Sequence, residues 1–73
     1  MKLIHALELI TAEYIIAQSR FEKFNNQLDD FEVLLEAVTQ LWDSIKHNLP
    51  KQQARDEAIQ VAAMAIRFIT DCT

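Results

Sequence analysis

From Ala58 to Ile69 the sequence reads AIQVAAMAIRFI, and only Gln60 and Arg67 interrupt the apolar residues. A helix that is apolar on nearly all sides has to be covered on nearly all sides. The run is too short to span a bilayer, which takes roughly 20 residues, so it predicts a buried core helix. Its alanines let neighbouring helices approach closely, while Ile59, Val61, Met64, Ile66, Phe68 and Ile69 fill the remaining space. Gln60 and Arg67 stand on one face, and Glu57 joins Gln60 there at i, i+3. Such a polar stripe faces either a cavity or another helix.

The rest of the chain has to supply the cover, and there is little of it. The 73 residues form one domain, and a chain of about 60 residues buries only about 60 % of its unfolded surface. A single cysteine, Cys72, cannot form an internal disulfide, and no Cys/His cluster suggests a structural metal. Yet 51 % of the residues are apolar, more than a three-helix monomer of this size easily hides. Self-association is the expected resolution, as a homodimer or homotetramer. A lone thiol fits a reducing, cytoplasmic setting. The N-terminus lacks the long apolar stretch of a signal peptide, because Glu8 and Glu13 interrupt it. Neither a leader nor a membrane span is expected. A net charge of −4 with scattered basic residues argues against nucleic acid as a partner.

Glycine is absent and Pro50 is the one proline, so the fold class expected is all-α, a three-helix protomer assembling into a helical-bundle oligomer. The first helix is placed at about residues 2–23, on the apolar line Leu3, Leu7, Ile10, Tyr14, Ala17, Phe21 and Phe24, with Glu8, Glu13, Arg20 and Glu22 on the other side. An Asn/Asp-rich turn follows, and Asp29 with Glu32 resembles a capping box. The second helix, at about 29–48, has Phe31, Leu34, Val38, Leu41 and Ile45 on one line, with Leu35 and Trp42 beside it. Pro50 marks the break, and the third helix runs at about 52–72, with Asp56 and Glu57 early enough to suit the helix dipole.

Few residues carry a chemical signal on spacing alone. Glu36, Gln40 and Asp43 form a polar line on the second helix, and Glu57 and Gln60 could meet it from an antiparallel third helix. Carboxylates on facing helices are how bundles build cation sites, although such lines also occur as solvated faces. His5 and His47 have no second ligand at metal-binding spacing. Ser19, Ser44 and Cys72 lack the context of a nucleophile, Cys72 lying at a frayed terminus. Trp42 and Phe31 fit a core stripe as well as a platform for a base. No catalytic residue is assigned.

Two stretches, FEKFNNQLDDFEVLLEAVTQLWDSIK (residues 21–46) and EAIQVAAMAIRFITD (residues 57–71), resemble the MazG-like proteins of phages and bacteria, within the all-α nucleoside triphosphate pyrophosphohydrolases. That family reads F-x-x-F-N-S-x-H-E-G-Y-A-V-L-L-E-E-x-D-E-L-W-D-E-I-K and then E-x-I-Q-V-A-A-M-A-x-R-x-I-x-D. The resemblance implies an oligomer of helical protomers that splits a nucleotide into a monophosphate and pyrophosphate. In the family an E-E-x-x-E stretch and an E-x-x-D or E-x-x-Q stretch hold Mg²⁺, which activates water.

Transferred to this chain, the metal residues implied are Glu36 and Glu57, with Gln40, Asp43 and Gln60 as weaker ones. The departures matter. The second glutamate of the first motif is Ala37 and the last is Gln40, and the family's His-Glu-Gly is Leu28-Asp29-Asp30. For a nucleotide in such a site, Trp42 or Phe31 is expected near the base, and Lys46 or Arg67 near phosphates. The expectation is a MazG-like protein with weakened or lost Mg²⁺-dependent hydrolysis, acting as a nucleotide-binding or protein-interaction module. The alternative is an active small enzyme that releases pyrophosphate from nucleoside triphosphates.

Overall fold

The computed structural model describes residues 1–20 and 26–73. Its helices are α1, Leu3–Arg20, α2, Gln27–Lys46, and α3, Lys51–Cys72, and no strand occurs among the described residues. The all-α class and the three helices therefore stand. Helix α3 is the centre, as its composition requires: α1 and α2 both pack on it, and the two have no close approach to each other among the described residues. The order in space is α1–α3–α2, an open layer rather than a closed bundle. Phe21 and Phe24, and the expected extension of the first helix to residue 23, lie outside the described residues.

Helix α2 starts two residues before the sequence-based boundary, and its cap is Asn26 rather than Asp29. Asn26 is extended (φ −154°), its Oδ1 accepts from the Asp29 backbone N–H at 2.9 Å, and its Nδ2 donates to Asp29 Oδ2 at 2.9 Å. Asn and Asp are comparable caps in isolation. The pair decides between them, because Asp29 at the third helical position completes a reciprocal bond that Asp29 as cap would forgo. Asn26→Ala should cost about 1 kcal/mol, lowering the thermal midpoint by roughly 4–8 °C in a circular-dichroism melt. An unchanged midpoint would return the cap to Asp29.

The end of α2 is also earlier than expected, at Lys46. Asn48 turns left-handed (φ 57°), the Leu49 N–H bonds to the Ser44 carbonyl at 3.0 Å, and the Asn48 N–H bonds to that of Ile45 at 3.1 Å. These are the paired bonds of a Schellman ending, with Asn in the position glycine usually takes. Pro50 then caps α3 directly, its carbonyl accepting from Gln53 and Ala54. The lead-in from Lys51 is helical, so Asp56 and Glu57 fall in the second turn, beyond the reach of the helix dipole.

The buried apolar residues are small apart from Met64: Ala17 on α1, Ala37 on α2, and Ala63 beside Met64 on α3, flanked by Tyr14, Leu34 and Val61. Alanines at the crossings bring the backbones close, and that choice turns bulkier side chains outward. Helix α2 faces α3 with Asp30, Leu34, Ala37, Leu41 and Ser44: of the expected line Leu34 and Leu41 are turned inward, whereas Phe31, Val38 and Ile45 are exposed. Trp42, Ile45 and Phe31 are more than half exposed, as are Leu3, Ile4 and Ile69. Helix α3, expected to be covered on nearly all sides, is covered on two sides by α1 and α2 among the described residues. No helix among the described residues is long and apolar enough to cross a membrane.

Candidate functional site

The α2–α3 contact leaves a groove of about 400 Å³, lined by Val33, Glu36, Ala37 and Gln40 from α2 and by Gln60, Met64 and Arg67 from α3. Its size lies within the range of small-molecule sites. The lining residues recur at three- and four-residue steps, so each helix contributes one face. The groove opens beside Ala37 because the methyl group leaves room that a longer side chain would occupy.

Of the residues singled out from the sequence, Glu36, Gln40, Gln60 and Arg67 are brought together here. Arg67 is 1 % exposed, and its Nη2 lies 3.6 Å from Asp71 Oδ2 one turn later on α3. Asp71 also accepts from Gln18 Nε2 at 3.2 Å and from Thr70 Oγ1 at 3.3 Å. Gln18 donates in turn to the Tyr14 hydroxyl at 2.9 Å, and Tyr14 lies 3.1 Å from Thr70 Oγ1. The hydrogen bond with Thr70, and then that from Gln18, hold the Tyr14 phenol below its ordinary pKa. A polar network from α1 thus backs the arginine at the groove.

The other assignments separate. Glu57 turns away from the groove: one carboxylate oxygen accepts from Ser44 Oγ and the other from Gln53 Nε2 at 3.3 Å. Asp43 pairs with Lys46 at 3.7 Å, both side chains about half exposed, a contact of little energetic weight. Neither lines the groove. Phe31 and Trp42 are exposed and likewise absent from its lining.

Several polar residues sit deeper than the sequence suggests. Glu13, expected on the solvent side of the first helix, is half-buried and accepts a hydrogen bond from Gln60 Nε2. The signal was available: Ala6, Ile10, Glu13 and Ala17 follow helical steps and share the α3-facing side. Asp30, expected at the start of the second helix, is there but fully buried, in the first turn of α2, where the helix dipole favours a negative charge. Its Oδ2 accepts from Cys72 Sγ at 3.4 Å, so that thiol is docked against α2 rather than frayed.

The groove therefore presents one carboxylate, two amides and a guanidinium. Mg²⁺ takes oxygen ligands in near-octahedral geometry, and a fixed cation in the same groove opposes it. Among the described residues no three His, Cys, Asp or Glu side chains gather as a metal site. The residues present do not fit a protein-held Mg²⁺. Among the described lining residues Arg67 is the cation, and Gln40 and Gln60 supply amides that can donate and accept hydrogen bonds. No family model, no curated protein and no solved structure matches this chain.

Proposed function

We propose that the protein is a non-hydrolysing helical module of the MazG-like kind, whose α2–α3 groove takes a phosphate-bearing small ligand such as a nucleotide. One observation carries the reading. Glu36 and Arg67, from the two stretches that resemble that family, meet in one groove, while Glu57 is turned to Ser44 and Gln53. An arginine lining the groove supports anion recognition, and the turning of Glu57 to Ser44 and Gln53 supports weakened or lost Mg²⁺ chemistry. The uncovered apolar faces support a homodimer or homotetramer as the working form, and the setting proposed is cytoplasmic.

Titration calorimetry of Mg²⁺, then of nucleoside triphosphates with and without Mg²⁺, tests the reading, with pyrophosphate followed in parallel. The expected result is no heat from Mg²⁺ alone, and nucleotide binding without pyrophosphate release. Release would establish the alternative, an active pyrophosphohydrolase using Glu36 and Glu57. Absence of any nucleotide binding would overturn the groove reading and leave the apolar surfaces as the functional part.

A further inference from the structure

Helix α2 carries two lines of residues at coiled-coil spacing, and α3 uses only one. Asp30, Leu34, Ala37, Leu41 and Ser44 face α3 and are buried or half-buried. One residue further on at each step, Phe31, Leu35, Val38, Trp42 and Ile45 are 52, 49, 42, 56 and 57 % exposed. Leu28 extends this second line towards the N-terminus at 66 %. The steps from Leu28 to Ile45 alternate three and four without a break, the a/d repeat of a two-stranded coiled coil.

We infer that this seam is the contact with a second copy of the chain, whose α2 runs antiparallel about a two-fold axis at Thr39. The inference rests on the reading that the chain self-associates, and adds the surface, the direction and the register. The flanking charges decide the occupant. With Leu28, Leu35 and Trp42 at a and Phe31, Val38 and Ile45 at d, the e positions are Glu32, Thr39 and Lys46. Glu32 and Lys46 lie one heptad on either side of Thr39.

Antiparallel pairing sets e against e. Glu32 then faces Lys46 of the partner subunit, and the contact repeats by symmetry. Thr39, small and uncharged, with its hydroxyl bonded to the Leu35 carbonyl at 2.9 Å, meets its own copy on the axis. The same register packs Leu35 against Ile45 of the partner subunit and Val38 against Trp42 of the partner subunit. A two-fold contact has to be self-complementary, and this sequence is. Parallel pairing sets g against e and would oppose Gln27 with Glu32, Leu34 with Thr39 and Leu41 with Lys46. That arrangement contains no pair of opposite charges, and Leu34 and Leu41 already face α3. The Lys46–Asp43 contact within one protomer is half-exposed and does not hold Lys46 back. Val33, Glu36 and Gln40 fall at f and b positions, so the groove stays open in the pair.

Sedimentation equilibrium of the full chain across protein concentration tests this, with circular dichroism confirming helicity of each variant. The wild type should dimerise. Trp42→Ala should weaken association by about 30-fold or more, as loss of a central aromatic anchor does. Glu32→Lys and Lys46→Glu should each weaken it roughly tenfold, two attractive pairs becoming repulsive, and the double exchange should restore it. A wild type that remains monomeric would overturn self-association and the seam together. A dimer unmoved by Trp42→Ala would overturn the seam alone and place the contact on α1 or α3. A double exchange as weak as the single ones would overturn the antiparallel register.

Discussion

Arg67→Met lowers the thermal midpoint by more than about 12 °C, the largest loss expected from any single side chain outside the Ala63 crossing. The guanidinium is 1 % exposed and the Asp71 side chain 6 %. Methionine fills much of the arginine's volume, so the loss is electrostatic rather than a cavity. It leaves the Asp71 carboxylate buried with Gln18 and Thr70 and no cation. Removing one member of a buried ion pair costs about 3–5 kcal/mol, and each kcal/mol moves the midpoint of a small domain by about 4–8 °C. Whole domains are stable by only about 5–15 kcal/mol, so this one change consumes much of the margin. Asp71→Asn is the informative control. It retains shape and an oxygen for Gln18 to bond, but leaves Arg67 charged beside the groove. Melts have to be run at one protomer concentration, because association contributes to apparent stability. A midpoint within two or three degrees of wild type for Arg67→Met would mean that the network is not holding α3 to α1.

The same network shows where the sequence could be read and where it could not. The run from Ala58 to Ile69 identified the central helix, because no other stretch needs cover on so many sides. Pro50 and the Asn/Asp-rich turn divided the chain correctly into three. The faces were harder. On helix α2 the expected line mixed two adjacent stripes: α3 takes Leu34 and Leu41 from it together with Ala37 and Ser44, and leaves Phe31, Val38 and Ile45 exposed. The reason is mutual: Ala63 on α3 offers no bulk, so the closest approach, and hence the burial, goes to small residues opposite it. A single helix sequence does not contain its partner's shape. Glu13 was misplaced for a related reason, and the burial of Asp30 was not foreseen. Hydropathy assigns carboxylates to solvent, whereas Glu13 is drawn in by Gln60, and Asp30 by the first turn of α2 and the Cys72 thiol. Of the candidate site, Glu36, Gln40, Gln60 and Arg67 converge because all four fall on facing helical stripes. Glu57 shares its stripe with Gln60, yet Ser44 across the α2–α3 crossing offers a nearer partner and captures it.

Replacing Ala37 and Gln40 together by glutamate is expected to tighten Mg²⁺ binding by about tenfold at least relative to the wild-type groove. The geometry favours this at both positions. Gln40 is exposed and lines the groove, so Gln40→Glu changes charge at constant shape. Ala37 is 8 % exposed, but its methyl group also lines the groove, into which a longer side chain can extend. With Glu36, three carboxylates would then stand at i, i+1 and i+4 on one helix, facing Arg67. Crowding that much charge has a cost. Enlarging a buried alanine typically loses about 1–3 kcal/mol, and repulsion among the carboxylates adds to it, so the metal-free double variant should melt well below wild type. Binding then reports itself through stability, since a ligand that binds only the folded form stabilises it. Added Mg²⁺ should raise the midpoint of the double variant and leave that of the wild type unmoved. Gln40→Glu alone, with two carboxylates, should respond only weakly. If the double variant is equally indifferent to Mg²⁺, the stripe does not converge on a cation, and the resemblance of residues 36–40 to a metal motif has no geometric counterpart. If Mg²⁺ binds the double variant but no pyrophosphate is released from a nucleoside triphosphate, restored charge on α2 is not sufficient for hydrolysis, and Glu57, held by Ser44 and Gln53, is the next position to change.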